Sequence, residues 1–238
     1  MTSPGREVGR VVSLWRYPVK SMAAEPLEHA EVSWHGLVGD RRWAFIRDGM
    51  VKSGFPWLTI RERVEMRHYR PSFVEPDRPN ASAVIVRTPT GETVDVIDPA
   101  LAAELGAGLR AIKQDRGVFD TMPLALITTQ SIANLGALVG ATLDVQRFRP
   151  NLVVEASGGA PFPEDEWVGR VLRMGGMGLR VDKRDQRCVI VNFDPATNER
   201  NAAVLRAITR DRQACLGVYG STVEPGRIAV GDTVAIDE

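Results

Sequence analysis

"SAVIVRTPTGETVDVID", residues 82–98, holds two short runs in which apolar and polar side chains alternate, joined across Thr90-Gly91. Successive side chains of an extended chain point to opposite faces, so such a run covers a core with one face and meets water with the other. A glycine-bearing pair between two alternating runs turns a β-hairpin. The stretch reads as two antiparallel strands, and its pattern recurs along most of the chain.

Upstream, "RVVSLWRYPV" (10–19) reads as a first strand stopped at Pro18, and "EHAEVSW" (28–34) alternates before "HGLVGD" (35–40) turns the chain. "RRWAFIRDGMVKSG" (41–54) is a second hairpin candidate, with Asp48-Gly49 as its turn and Met50-Val51 opening the return strand. Downstream, "VIVNF" (189–193) reads as a strand, and "GRIAVGDTVAI" (226–236) as two strands about Gly231-Asp232. The Pro-rich stretch 69–82 reads as a surface loop. Short strands at regular spacing predict a mainly β fold, a barrel or sandwich, with a few short helices outside it.

Three helices are expected. Asp98 caps the first, with Pro99 at its first position and Gly106 or Gly108 at its end. "TTQSIANLGALVG" (128–140) sets Ile132, Leu135 and Leu138 at helical spacing and stops at Gly140, and "NAAVLRAIT" from Asn201 forms the third. A shift of composition over 113–123 marks the expected domain boundary, and no internal repeat is visible.

The 238 residues are 44% hydrophobic and 25% charged, with no net charge, enough for one large core or two small ones. A neutral balance argues against a dedicated nucleic-acid binder, which needs a basic excess. Only Lys20, Lys52, Lys113 and Lys183 are lysines among 30 basic residues. A GC-rich coding sequence accounts for that bias, yet it also supplies many planar forks that grip phosphate or carboxylate. The start "MTSPGREVGRVV" has no apolar signal region, and no window approaches a membrane span, so a cytoplasmic protein without a membrane partner is expected. Cys188 and Cys215 form no CxxC, and reduced thiols are favoured over a disulfide between them. His29, His35 and His68 all lie in the first third, which argues against a zinc site.

Residues able to do chemistry are sparse. "KRDQRCVIVNFDP" (183–195) sets Cys188 behind Lys183, Arg184 and Arg187, and cations beside a thiol favour the thiolate that binds soft metals or attacks carbon. Asp182 and Asp185 offset part of that charge, and a small core residue is the commoner role for a lone cysteine beside an apolar run. In "YPVKS" (17–21), Lys20 and Ser21 offer an ammonium and a hydroxyl at a strand end, which suits an oxyanion or phosphate; a solvated lysine in a turn is the plainer alternative. In "GDRRWAF" (39–45), alternation puts Arg41 and Arg42 on opposite faces. In "RFRPNLVVE" (147–155), Arg147, Arg149 and Asn151 share a face if the chain is extended. Three cation-bearing strand ends without a basic excess point to an anionic ligand. P-loop, dinucleotide-binding, GxSxG and HExxH patterns are all missing.

Taken in order, "YPVKS", "GDRRWAF", "FRPN", the Arg187-Cys188 pair, Asp194-Pro195 and "PGRIAVGD" give a resemblance that spans nearly the whole chain. The sequence resembles the two-part proteins of the MOSC family, named for the C-terminal domain of molybdenum-cofactor sulfurase, in the branch of the amidoxime-reducing components and their bacterial counterparts. The resemblance implies an N-terminal MOSC β-barrel domain over 1–115, packed intimately against a MOSC domain over 116–238. It implies a molybdenum cofactor (Mo-molybdopterin) whose metal is ligated by Cys188, the catalytic residue; a soft thiolate suits such a metal. Family contacts to that cofactor carry over to Lys20, Ser21, Arg41, Thr121, Arg149, Asn151, Arg187 and Tyr219. Lys20 and Arg149 would neutralise its phosphate with Arg41 as a bidentate partner, and as these residues come from both halves the resemblance implies a shared site. Cys215 takes no ligand role and is expected to pack in the interior.

The same resemblance implies an oxidoreductase acting on N-hydroxylated or N-oxide small molecules. Its electrons would come from a separate donor protein, a ferredoxin or flavin reductase, because the chain has no cysteine cluster for iron–sulfur ligation. Pyridoxal phosphate binding has no support. A non-catalytic carrier of the cofactor, or of sulfur as a Cys188 persulfide, is the alternative. Met122, in "DTMP", stands where the family pattern has a small polar residue.

Overall fold

The computed structural model describes residues 5–50 and 53–237. They divide into two compact units. One gathers the chain up to Trp15, Pro26–Val38 and the part from Thr121 onward; the other gathers Arg16–Glu25 and Gly39–Asp120. The strands of the first half are β1 (Arg6–Arg16), β2 (Glu25–Leu27), β3 (His29–Ser33), β4 (Gly36–Leu37), β5 (Trp43–Arg47), β6 (Arg70–Phe73), β7 (Val84–Arg87), β8 (Thr93–Asp95) and β9 (Leu109–Lys113). Those of the second half are β10 (Leu124–Thr128), β11 (Leu152–Ala156), β12 (Val171–Met174), β13 (Met177–Gln186), β14 (Cys215–Glu224), β15 (Gly226–Ala229) and β16 (Thr233–Ile236). The helices are α1 (Pro99–Leu105), α2 (Thr129–Val139) and α3 (Ala203–Arg212).

In the first unit β11, β10, β14, β13, β12, β16 and β1 pair in that order, and β1 returns to β11 to close a seven-stranded barrel. The mainly β expectation holds. Gly9 sits where β1 faces β11 at close approach: a Cβ there would lie 2.5 Å from the Glu155 carbonyl oxygen. Leu124 and Leu126 of β10 and Leu152 and Val154 of β11 fill the barrel. Ile127 and Val153, one residue out of phase, join Leu135 of α2 and Val204 and Ile208 of α3 in a second apolar layer. Both faces of these strands are therefore covered, and "LALIT" and "LVV" read as apolar runs rather than alternation. Thr128 caps α2 by accepting from the Ser131 N–H, and Gly140 ends it in the left-handed region.

The second unit carries β5 paired with β9, the sheet β6-β7-β8, and α1, around a core that includes Phe45, Met66, Phe73, Val86 and Leu101. The hairpin read from 82–98 is β7 and β8, with Val86 opposite Val94. Asp98 caps α1 and Gly106 follows it. No described helix is long and apolar enough to cross a membrane.

Three local expectations are corrected. The tight 41–54 hairpin does not form: Asp48–Met50 is a 3-10 turn, the chain returns to β5 only at an Ile46–Trp57 bridge, β5 pairs along its length with the distant β9, and Val51 lies outside the described residues. Arg70–Phe73, inside the expected loop, is the strand β6, held by β7. The strands about Gly231-Asp232 form as read: β15 pairs with β3, and β16 with β1 and β12. Val189–Asn192 is a 3-10 turn rather than a strand, because β13 loses its partner at Gln186 and Val191 is drawn into the apolar layer with Val204 and Ile208 of α3.

Candidate functional site

The ladder of β13 and β14 ends with Gln186 opposite Cys215, and the Arg187 N–H then donates to the Ala214 carbonyl at 2.8 Å. Cys188 leads the 3-10 turn, whose Val191 N–H reaches back to the Cys188 carbonyl at 3.3 Å. Ile190 and Val191 are buried beneath the turn, which leaves the Cys188 thiol free and exposed. The apolar run thus anchors the cysteine without enclosing it. Cys215 is also a free thiol, half-buried at the start of β14 rather than packed inside.

Two of the three neighbouring cations, Arg184 and Arg187, are committed elsewhere. Arg184 pairs with Asp165 at 3.3 Å and donates to the Arg212 carbonyl at 2.7 Å. Arg187 turns inward, its side chain 7% exposed. Its Nε donates to the Leu216 carbonyl at 2.7 Å, Nη1 to the Phe148 carbonyl at 2.8 Å, and Nη2 pairs with buried Asp185 at 2.8 Å. Gly217, next to Leu216, has φ of 73°, and a Cβ there would meet the Leu126 carbonyl at 2.8 Å and Arg187 Nη2 at 3.0 Å.

Arg147, Arg149 and Asn151 do not share an extended face. Arg147 ends a 3-10 turn and pairs with Asp194 at 2.8 Å, while Arg149 adopts a left-handed backbone with φ of 51°. Arg149 is half-buried. Asn151 is fully buried; its amide donates to the Trp15 carbonyl at 3.1 Å and accepts from the Ala125 N–H at 3.3 Å, which fixes the segment that carries Arg149. Thr121 is exposed and Tyr219 is half-buried on β14.

In the second unit "YPVKS" and "GDRRW" lie side by side. Arg41 N–H donates to the Tyr17 carbonyl at 2.6 Å, Trp43 N–H to Pro18 at 3.2 Å, and Lys20 N–H to Trp43 at 2.7 Å. Arg41 precedes β5 instead of entering it, so strand alternation does not place it; its guanidinium stacks 4.3 Å from the Tyr17 ring and pairs with buried Asp40. Lys20 and Ser21 are buried, and the Lys20 ammonium meets Asp120 and the Val118 carbonyl.

Ser21 (φ 71°), Arg41 (φ 50°) and Arg149 (φ 51°) all hold left-handed backbones; among the described non-glycine residues only Asn198, Gln213 and Ala214 do likewise. Such a conformation costs on the order of 1 kcal/mol or more and persists where surroundings fix it, as at ligand sites. Sequence spacing misses Asp40, Arg61 and Asp120, the carboxylates and cation that surround Lys20 and Arg41. The only hint of them is adjacency: Asp40 precedes Arg41, and Asp120 precedes Thr121.

Within each unit the donors suit one part of such a group: in the first, the exposed Cys188 thiol is available to a soft metal and half-buried Arg149 suits phosphate oxygens; in the second, Lys20 and Arg41 suit phosphate oxygens. Among the described residues no three His, Cys, Asp or Glu side chains gather into a metal cage.

The family model described as MOSC domain matches residues 113–235, and that of the MOSC N-terminal beta barrel domain matches 8–99. The human mitochondrial amidoxime-reducing component 1 is 24% identical, over 96% of this chain and 83% of its own. Molybdenum cofactor sulfurase of Drosophila willistoni is 25% identical over 88% of this chain, which spans 30% of that protein. The crystal structure of the YUAD protein from Bacillus subtilis, 10% identical, matches 99% of this chain and 98% of its own with a TM-score of 0.51, a likeness of fold. With its MOSC match running over more than half of the chain, through β10 to β16 and Cys188, the protein belongs to the MOSC family.

Proposed function

We propose that the protein binds a molybdenum pterin cofactor and reduces N-hydroxylated or N-oxide small molecules with electrons from a separate ferredoxin or flavin reductase. The observation that carries this reading is the exposed Cys188 thiol on a turn whose preceding residue, Arg187, is clamped to the segment of left-handed Arg149. The name of the human relative, an amidoxime-reducing component, supports the substrate class.

When bound, such a cofactor supplies two-electron removal of oxygen from an N–O bond, with two protons and the oxygen leaving as water. Cys188 offers its thiolate to the metal. Lys20, Arg41 and Arg149 neutralise the phosphate, and Ser21 and Thr121 add hydroxyl donors. Asn151 and Arg187 hold the backbone that carries Arg149 and Cys188, and Tyr219 adds an aromatic contact. Rigid attachment of the ligand residue matters because a loosely held thiolate loses affinity to its own freedom.

The test is molybdenum and pterin content in protein from a host that makes the cofactor. Wild type and Cys215→Ala should carry close to stoichiometric metal, and Cys188→Ala almost none while folding normally. Equal metal in all three would refute the ligand assignment. The alternative, a non-catalytic carrier of cofactor or persulfide sulfur, draws on the same exposed thiol. Metal-free protein with an added sulfur on Cys188, seen by mass spectrometry, would favour it.

A further inference from the structure

Helix α3 opens on Ala202, which has no side-chain oxygen to offer the unpaired N–H groups of the first turn. Two asparagines supply the acceptors. Asn201, just outside the helix, takes the Ala203 N–H on Oδ1 at 3.0 Å and the Val204 N–H on its carbonyl at 3.3 Å. The Leu205 N–H, one residue further in, is met from another segment: Asn192 Oδ1 accepts it at 2.8 Å. The Asn192 carbonyl accepts in turn from the Asn201 N–H at 2.7 Å. Asn192 is buried, and it is the last residue of the 3-10 turn that Cys188 leads. The turn's own bonds are few: Val191 N–H reaches the Cys188 carbonyl at 3.3 Å, and Phe193 N–H the Ile190 carbonyl at 3.1 Å. So short a 3-10 segment is weakly held by itself, and its direction is set at its ends. Arg187 fixes the near end against β14, and Asn192 fixes the far end against α3.

We infer that Asn192 is a positioning residue for Cys188, capping α3 from outside the helix so that the turn presents the thiol in one direction. The inference rests on the reading of Cys188 as the metal ligand and adds to it the second fixed end of the turn. The residue type fits the task. Asn and Asp are among the best acceptors at a helix N-terminus, and Ala is among the worst. Two bonds of the same residue, one from its side chain and one from its backbone, tie the turn to the start of α3, so neither can shift without the other. A ligand held in one direction binds better than one that must be ordered on binding. Asn201 separates this role from plain capping. Its side chain bonds to α3 alone, while its backbone N–H, which meets Asn192, survives replacement of the side chain. Loss of either cap weakens α3, but only loss of the Asn192 cap frees the turn.

The test compares Asn192→Ala, Asn192→Asp and Asn201→Ala in the full chain, made in a host that lacks the cofactor and in one that supplies it. In the cofactor-free chain, deuterium exchange of the Val191 amide, read by nuclear magnetic resonance, reports opening of the turn. Asn192→Ala should exchange about fivefold faster than wild type, the size of one lost cap. Asn192→Asp, which keeps the acceptor, and Asn201→Ala should exchange as wild type does. In the loaded chain, molybdenum retained through gel filtration should fall several-fold in Asn192→Ala and stay near wild type in the other two. The two alanine variants should lose melting temperature alike, so stability does not separate them. Should Asn192→Ala not fold, Asn192→Ser, a milder truncation, is read in the same way. Equal exchange and equal metal in Asn192→Ala and Asn201→Ala would overturn the inference and leave Asn192 a cap only. So would a loss in Asn192→Asp as deep as in Asn192→Ala. If Cys188→Ala retains the metal, the ligand reading falls and the inference with it.

Discussion

Arg187 Nη1 donates to the Phe148 carbonyl at 2.8 Å, so the residue before the exposed thiol holds the residue before left-handed Arg149. The same guanidinium reaches the Leu216 carbonyl on β14 and buried Asp185. Three segments far apart in sequence meet on one planar fork, a geometry that an ammonium cannot copy. Its 5.5 Å approach to the Phe148 ring adds to the hold.

Arg187→Ala should therefore cost about 3–5 kcal/mol in urea unfolding, because it strands a buried carboxylate. Arg187→Met with Asp185→Asn should recover most of that loss, since no buried charge remains. The double variant should still hold less metal than wild type. Metal retention equal to wild type would show that the clamp does not position Cys188.

Arg149→Gly and Arg149→Ala lose the same guanidinium and differ in the backbone at φ of 51°. The glycine variant should be the more stable by about 1 kcal/mol, the usual gap between Gly and Ala in a left-handed position. Both should lose anion affinity. Equal melting temperatures would mean that the left-handed backbone carries no strain.

Cys188 is exposed, while Cys215 is half-buried with its Sγ 3.5 Å from the Gln213 carbonyl. Sub-stoichiometric alkylation of native protein should label Cys188 first, as peptide mass spectrometry would reveal. Equal labelling of the two would contradict this placement.

Asp120 also bears on acid stability. Its folded carboxyl is held below the ordinary value, so it adds stability above its unfolded pKa, near 3.9. That contribution is lost as pH falls through the lower folded value. The melting temperature of wild type should fall more steeply than that of Asp120→Asn below about pH 4. Asp194, which the Ala196 and Thr197 N–H groups and Arg147 likewise hold down against its burial, should leave a residual slope in both. Parallel curves would remove Asp120 from the balance.

Local chemistry made part of this fold legible. The 82–98 hairpin, the Asp98 cap and the Gly140 stop depend on neighbours in sequence, and each forms as read. The "VIVN" run misleads because strand formation needs a partner, and β14 runs out at Cys215. Asp48-Gly49 misleads because the chain passes through a 3-10 turn there and comes back to β5 later, at the Ile46–Trp57 bridge. The composition shift over 113–123 contains the passage between units at Asp120 and Thr121, but no local pattern reveals that Arg6–Trp15 lies with the later strands. The candidate site divides in the same way. Motif order singled out Lys20, Arg41 and Arg149, while the backbone bonds from Tyr17 to Arg41 and the Asp120 carboxylate exist only once the chain is folded.

β1 closes the barrel by pairing Arg6 with Ile236 and Leu14 with Leu152. The seam thus joins segments from opposite ends of the sequence, the kind of distant pairing that slows folding. During synthesis the inner strands can pair while β1 waits, its hydrogen-bonding edge open, for β16 to emerge. An open edge is a template for the wrong neighbour. The barrel's weak moment is kinetic: its last hydrogen bonds to form belong to its first strand, and until they do, slow closure competes with aggregation.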